Sequence, residues 1–188
     1  MKYGFVAVIA LLLSVNCAFC FDFKKVTDDT RIVAALKVLE ETGSNSVLES
    51  VFKRDKKGRF VQIIFYDLGM ISYQYKNHFA MTSTDNFGEN YIIINSKYRN
   101  APKEALAALI AHESCHKLPR ADLKEEIYAT TTETLQWIKS TKVNPSLKEI
   151  DDPVIKRLNK LAKLYEEDGE NAISESILGN GFYKVNLL

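Results

Sequence analysis

A chain of 188 residues that is 46% hydrophobic and 26% charged holds enough apolar material for one domain with its own core, and its composition excludes a disordered or collagen-like protein. A formal net charge of +1 gives no electrostatic reason to expect nucleic acid or an anionic membrane surface as partner.

The chain begins with a basic residue, Lys2, and an apolar run from Gly4 to Val15 broken only by Ser14. Ala18-Phe19-Cys20 then sets small residues before a cleavage point between Cys20 and Phe21. Residues 1–20 therefore predict a secretory signal peptide, and residues 21–188 a single mature domain that is secreted or periplasmic. The apolar run is too short to span a bilayer comfortably, so no stable membrane insertion is expected after cleavage. Loss of these residues removes Lys2, Cys17 and Cys20. Basic and acidic side chains then balance, and Cys115 is the one cysteine left, so no intramolecular disulfide is available.

In the mature part, Ile32, Ala35, Leu36 and Leu39 recur at helical spacing and predict a helix over Asp28–Thr42, stopped by Gly43. Ser46–Phe52 is a second short helix, and Lys53–Arg59 reads as a charged, solvated turn. Phe60–Leu68 is a strand, Tyr73–Ser83 a weaker one, and Tyr91–Asn95 the clearest, with Ile92, Ile93 and Ile94 all β-branched. The pattern then becomes helical. Asn100 caps and Pro102 opens a helix that runs to about Leu118, where Pro119 stops it. A second helix runs from Asp122 to about Ser140, and a third from Pro153 to before Gly169; Gly179–Leu188 is a short strand or extended tail. Strands first and helices after give an α+β fold.

One pentad carries chemistry: His112-Glu113-Ser114-Cys115-His116. Histidines four apart on a helix project from one face and can ligate one metal ion. Glu113 lies about 100° round the helix from His112, too far to share the metal easily but close enough to reach water beside it. This is the HExxH pattern, in which a zinc ion activates water and the glutamate serves as general base. A third donor is required. Glu126, in the first turns of the next helix, can point back at both histidines; Glu125 and Asp122 are the alternatives, and Glu133 is expected to be too distant.

The stretch from Asn90 to Trp137 resembles the core of a small gluzincin-type zincin. The likeness rests on an edge strand (Tyr91-Ile92-Ile93-Ile94), the pentad helix, and a following helix with Glu126-Ile127-Tyr128-Ala129. It implies a zincin-like fold, with a small mixed β-sheet packed on the active-site helix and a helical C-terminal part. An extended peptide would pair beside Tyr91–Asn95. Asp122 has the spacing of a metzincin third ligand, but Pro119 replaces the glycine of that family and both Met70 and Met81 precede the motif. Asp122 can instead cap the next helix, with Glu125 completing a capping-box-like pair. Thr130 stands where gluzincins carry an aspartate, as a candidate hydrogen-bond partner for a ligand histidine.

The expectation is thus a secreted zinc metallopeptidase acting on a peptide or protein substrate. One Zn2+ is held by His112, His116 and Glu126, and Glu113 is the catalytic base. The alternative is a non-catalytic secreted binding domain with a structural metal or a fortuitous motif. Cys115 reads as a small core residue, His78 as a packing residue or a further group near the cleft, and Trp137 as core. Nine tyrosines include several candidates for holding an oxyanion, among them Tyr73, Tyr75, Tyr91, Tyr128 and Tyr183.

Overall fold

A computed structural model describes residues 21–117 and 122–179. The expected signal peptide and the expected extended tail past Gly179 lie outside the described residues.

Helix α1 (Thr30–Glu41) forms where the spacing predicts it. Asp29 caps it by accepting from the N–H groups of Arg31 and Ile32, and Ile32, Ala35, Leu36 and Leu39 are all buried. A short helix α2 (Asn45–Val51) follows and buries Val47, Leu48 and Val51. Strands β1 (Gln62–Tyr66), β2 (Ala80–Thr84) and β3 (Asn90–Asn95) make one sheet in the order β1-β3-β2. β1 runs parallel to β3 with Ile63 opposite Ile92, and β2 runs antiparallel to β3 with Thr82 opposite Ile92. The described residues therefore form a mixed α+β fold with a three-stranded sheet and six α-helices.

β3 is the central strand, not the edge strand the sequence suggested. Ile92 to Asn95 are buried without a break, as a strand covered on both faces must be. The edge next to the helices is β2, whose residues are only partly covered. The expected long strand over Tyr73–Ser83 is also shorter than the pattern implied. Asp67 caps a one-turn helix α3 (Leu68–Ile71), and a 3-10 turn follows at Tyr73–Tyr75. The buried Asn95 then donates to the carbonyls of Lys76 and His78, which holds that segment as a loop until β2 begins.

Helix α4 (Lys103–Glu113) is buried along its whole length from Ala105 to Glu113, as expected of a helix apolar on every side. Pro102, not Asn100, occupies its cap position, and no side chain caps it. It packs between α1, the sheet and α5 (Leu123–Val143), and α5 packs on α6 (Pro153–Gly179). α4 ends at Glu113, short of the expected Leu118. Its last turn is tightened: the N–H of Cys115 bonds the carbonyl of His112 and that of His116 bonds the carbonyl of Glu113.

α6 does not stop before Gly169 but breaks there. Asp168 leaves helical geometry, Gly169 has φ +58° and ψ −137°, and the helix resumes. The glycine marks the break correctly; the restart comes from packing, because Ile173 and Ile177 bury themselves against Leu161, Leu123 and Ile127. No neighbouring atom crowds a side chain added at Gly169, so backbone strain is the cost of changing it. Gly169→Ala should lower unfolding free energy by about 1–3 kcal/mol, read by chemical denaturation. Unchanged stability would mean that this kink is not needed for docking the end of α6.

Candidate metal centre

The last turn of α4 brings the pentad's polar side chains to the rim of an otherwise apolar helix. His112 and Glu113 are 8% and 7% exposed, and the rings of His112 and His116 lie 5.1 Å apart, edge to face. Ligand atoms of His112, Glu113 and His116 fall within 4.8 Å of one another, a group able to hold a metal ion. Glu113 stands nearer the imidazoles than regular helix geometry implied, because the turn tightens just there. Thr82 of β2 donates to the Glu113 carboxylate at Oε2 (2.9 Å) and lies 3.0 Å from the Glu113 carbonyl oxygen. The sheet edge thus fixes this side chain.

The two imidazoles direct equivalent nitrogens to one partner. His112 Nε2 lies 3.5 Å from Glu126 Oε1, and His116 Nε2 lies 3.7 Å from Glu126 Oε2. Both distances exceed those of good hydrogen bonds. The Nδ1 atoms face different carboxylates. His116 Nδ1 is 3.1 Å from Glu125 Oε1, which also accepts from the backbone N–H of Lys117. His112 Nδ1 is 3.2 Å from Glu133 Oε2, close but without the alignment of a hydrogen bond. Glu133 itself is fully buried and gripped by both guanidinium nitrogens of Arg157, from α6.

Of the third-donor candidates, the structure sets Glu126 against both Nε2 atoms and Glu125 against the far side of His116. Asp122 caps α5 by accepting from the N–H of Glu125 and takes no part in the cluster. Glu133, expected to be too distant, touches His112. It lies seven residues after Glu126, two turns along the same face of α5, and that spacing was the available signal. Arg157 carried no signal, since nothing local relates α6 to the pentad. Thr130 is buried, and its carbonyl accepts from Thr134; it makes no bond to a histidine among the described residues. The half-buried Cys115 bonds the carbonyl of Ala111 through Sγ, and burial raises its thiol pKa. His78 stacks on Tyr75 within electrostatic reach of Glu126, and burial lowers its pKa. Trp137 is core, with Nε1 donating to Asn159. Tyr91 donates to Glu89, and Tyr183 lies outside the described residues.

Comparison of the chain with protein-family models, with curated proteins and with solved structures finds no match. The geometry of the site therefore carries the functional argument. Among the described residues no helix is long and apolar enough to cross a membrane.

The side chains of the site form a cluster short of positive charge. Burial disfavours a charged His112, but the close Glu133 carboxylate, with the charges of Glu113 and Glu126, outweighs it and raises its pKa from 6.5 to about 9. Burial likewise disfavours an ionised Glu133, yet Arg157 and His112 bring its pKa down from 4.5 to about 2. Burial pushes the Glu113 carboxyl up, against the pull of both histidines and the Thr82 bond. The group of His112, Glu113 and His116, with Glu126 against both Nε2 atoms, offers nitrogen and carboxylate donors suited to a divalent cation.

Linkage then sets the pH profile of the metal-free protein. The depressed Glu133 contributes stability that is complete above pH 4.5 and lost as the pH falls toward 2; the raised His112 contributes stability that is complete below 6.5 and lost as the pH rises through about 9. Arg157→Leu strands the buried carboxylate and should destabilise the chelator-treated protein at pH 7 by about 3 kcal/mol, the low end for a broken buried pair because Arg157 is 30% exposed. Thermal unfolding should show the gap between native and variant narrowing as the pH falls toward 2. A gap independent of pH would assign the effect to packing.

Proposed function

We propose that this chain is a zinc-dependent metallopeptidase of zincin-like fold, with His112, His116 and Glu126 as the metal ligands and Glu113 as general base. The carrying observation is the convergence of two Nε2 atoms on the two oxygens of Glu126 at 3.5 and 3.7 Å. Donors about 2.0–2.1 Å from a tetrahedral zinc stand about 3.4 Å from one another. Carboxylates on both Nδ1 atoms support the same reading, since they fix which ring nitrogen faces the ion. The resemblance implies a peptide paired beside Tyr91–Asn95, but β3 is central and the edge strand beside the pentad is the antiparallel β2, so the added peptide is assigned to β2 instead.

A zinc ion supplies Lewis acidity: it makes water a stronger acid near neutral pH and polarises a carbonyl. Glu113 does the proton chemistry. Thr82 holds its Oε2, and Oε1 is the atom left to take a proton from water and hand it to the departing amine nitrogen. Burial already favours the protonated carboxyl, which suits a group that must keep a proton between two steps. The far edge of β2 is unpaired among the described residues, and an extended peptide added there would lie across Thr82 and Glu113. Export through residues 1–20 belongs to the same proposal and makes the enzyme extracytoplasmic.

One observation favours a second reading. Glu113 is close enough to both histidines to be a ligand itself, and with Glu126 it would close a four-ligand structural site. Glu113→Gln separates the two. As general base, its loss should leave about one zinc per chain, by metal analysis, and cut peptide hydrolysis by about 10²–10⁴-fold. Loss of zinc and of thermal stability in that variant would instead make the site structural and the domain a binding module. His116→Ala and Glu126→Ala should each abolish tight zinc binding. Full zinc retention in Glu126→Ala would remove Glu126 from the ligand set.

A further inference from the structure

The segment Lys53–Arg59, which the sequence presents as a solvated turn, forms one wall of a cleft of about 530 Å³ whose other walls include Thr82, Glu113 and His116. Five basic side chains line this cleft (Lys53, Arg54, Lys56, Arg59 and Lys117) against two acidic ones, Asp55 and Glu113. Asp55 and Arg59 neutralise each other in a 2.8 Å ion pair. The same pair builds the wall. Asp55 accepts from the backbone N–H groups of Lys57 and Arg59, while Arg59 reaches Glu89 and the carbonyl of Gly88 in the turn between β2 and β3. On the other side Ser50 donates to the carbonyl of Ser114, tying the end of α2 to the pentad.

The basic wall is therefore held in place at both ends, and its remaining cations are not spent on it. Lys53, Lys56 and Lys117 have no carboxylate in ion-pair contact among the described residues, and Arg54 rests on the ring of Phe60. The chain as a whole has a net charge of only +1, so attraction for an anion is local to this cleft and not a property of the general surface. The cleft lies over the sheet face that carries Thr82 and Thr84 of β2 and Asn90 and Ile92 of β3, and Arg59 anchors the basic wall to the turn that follows Thr84.

We propose that this cleft selects acidic peptides, with Lys53, Arg54, Lys56 and Lys117 receiving Asp or Glu side chains on the side of the reacting bond that lies toward Thr84. The assignment of a reacting bond rests on the peptidase reading above; the assignment of an acidic peptide to the cleft does not. Complementary charge of this kind governs partner choice and is weakened by salt.

The test is binding first and cleavage second. The full protein carrying Glu113→Gln is titrated, by fluorescence anisotropy, against labelled peptides of one length that contain a run of Glu, of Gln or of Lys. At least ten-fold tighter binding of the Glu peptide than of the Gln peptide is expected. That advantage should fall with added salt and with Lys53→Ala/Lys56→Ala, and persist with Lys163→Ala, a substitution on the exposed face of α6. Equal affinity for the Glu and Gln peptides, or an advantage untouched by the double substitution, overturns the proposal. Equal affinity for the Glu peptide and for a single-stranded DNA of the same charge would make the cleft a general polyanion surface and overturn it too. The zinc-loaded native protein is then given the same peptides, each with a neutral segment beside the charged run. Cleavage on one flank of the Glu run completes the proposal. Acidic selectivity in binding with no peptide cleaved at all would overturn the peptidase reading and leave the acidic-peptide cleft standing.

Discussion

A carboxylate with no solvent exposure must be neutralised by its neighbours, and Glu133 is neutralised from two sides: by the guanidinium of Arg157 on α6 and by the imidazole of His112 on α4. Three helices meet at this one side chain. Its burial would cost several kcal/mol if its cations were missing, so this contact favours the packing of α4, α5 and α6 that supplies them. That packing also sets the direction of the His112 ring. With Nδ1 facing Glu133, Nε2 faces Glu126, so the orientation of the ring follows from a packing constraint.

The remainder of the site is built from the opposite direction, by the sheet. α4 is apolar along its body and is sandwiched between α1, the sheet and α5, and its polar last turn meets the middle of β2. β2 lies there as the edge strand, and Thr82 meets Glu113. The two carboxylates nearest the imidazoles consequently have different surroundings. Glu113 is pinned by a hydroxyl from the sheet and pushed toward its protonated form, whereas Glu126 is presented by α5 to two nitrogens at once. Residues of one chemical type thereby acquire different environments, one against the sheet and one against the two imidazoles.

The outer wall of the cleft illustrates how charge acquires meaning from position. Lys53 to Arg59 is one run of mixed charge in the sequence, and its acidic member satisfies the turn's own backbone. Once Asp55 and Arg59 have paired, the excess on that wall is wholly positive, and it faces the cleft that contains Glu113. Nothing in the periodicity of the segment carries that information, because periodicity describes burial and this segment is exposed.

What the sequence alone determined is local. Apolar spacing marked α1 and the body of α4, the β-branched run marked β3, Asp122 marked the cap of α5, and the pair of histidines four apart marked the candidate centre, because each of these depends on neighbours within a few residues. The tertiary structure decided everything that depends on what stands opposite. It made β3 central and β2 the edge, since strand order follows from which faces are covered. It restarted a helix after the break at Asp168 and Gly169, since Ile173 and Ile177 reach a long-range hydrophobic cluster that a local stop signal does not foretell. It brought Glu133 to His112 and, across 24 residues of chain, Arg157 to Glu133, since a buried charge is satisfied by whichever element packs against it, and chain order holds no record of that choice.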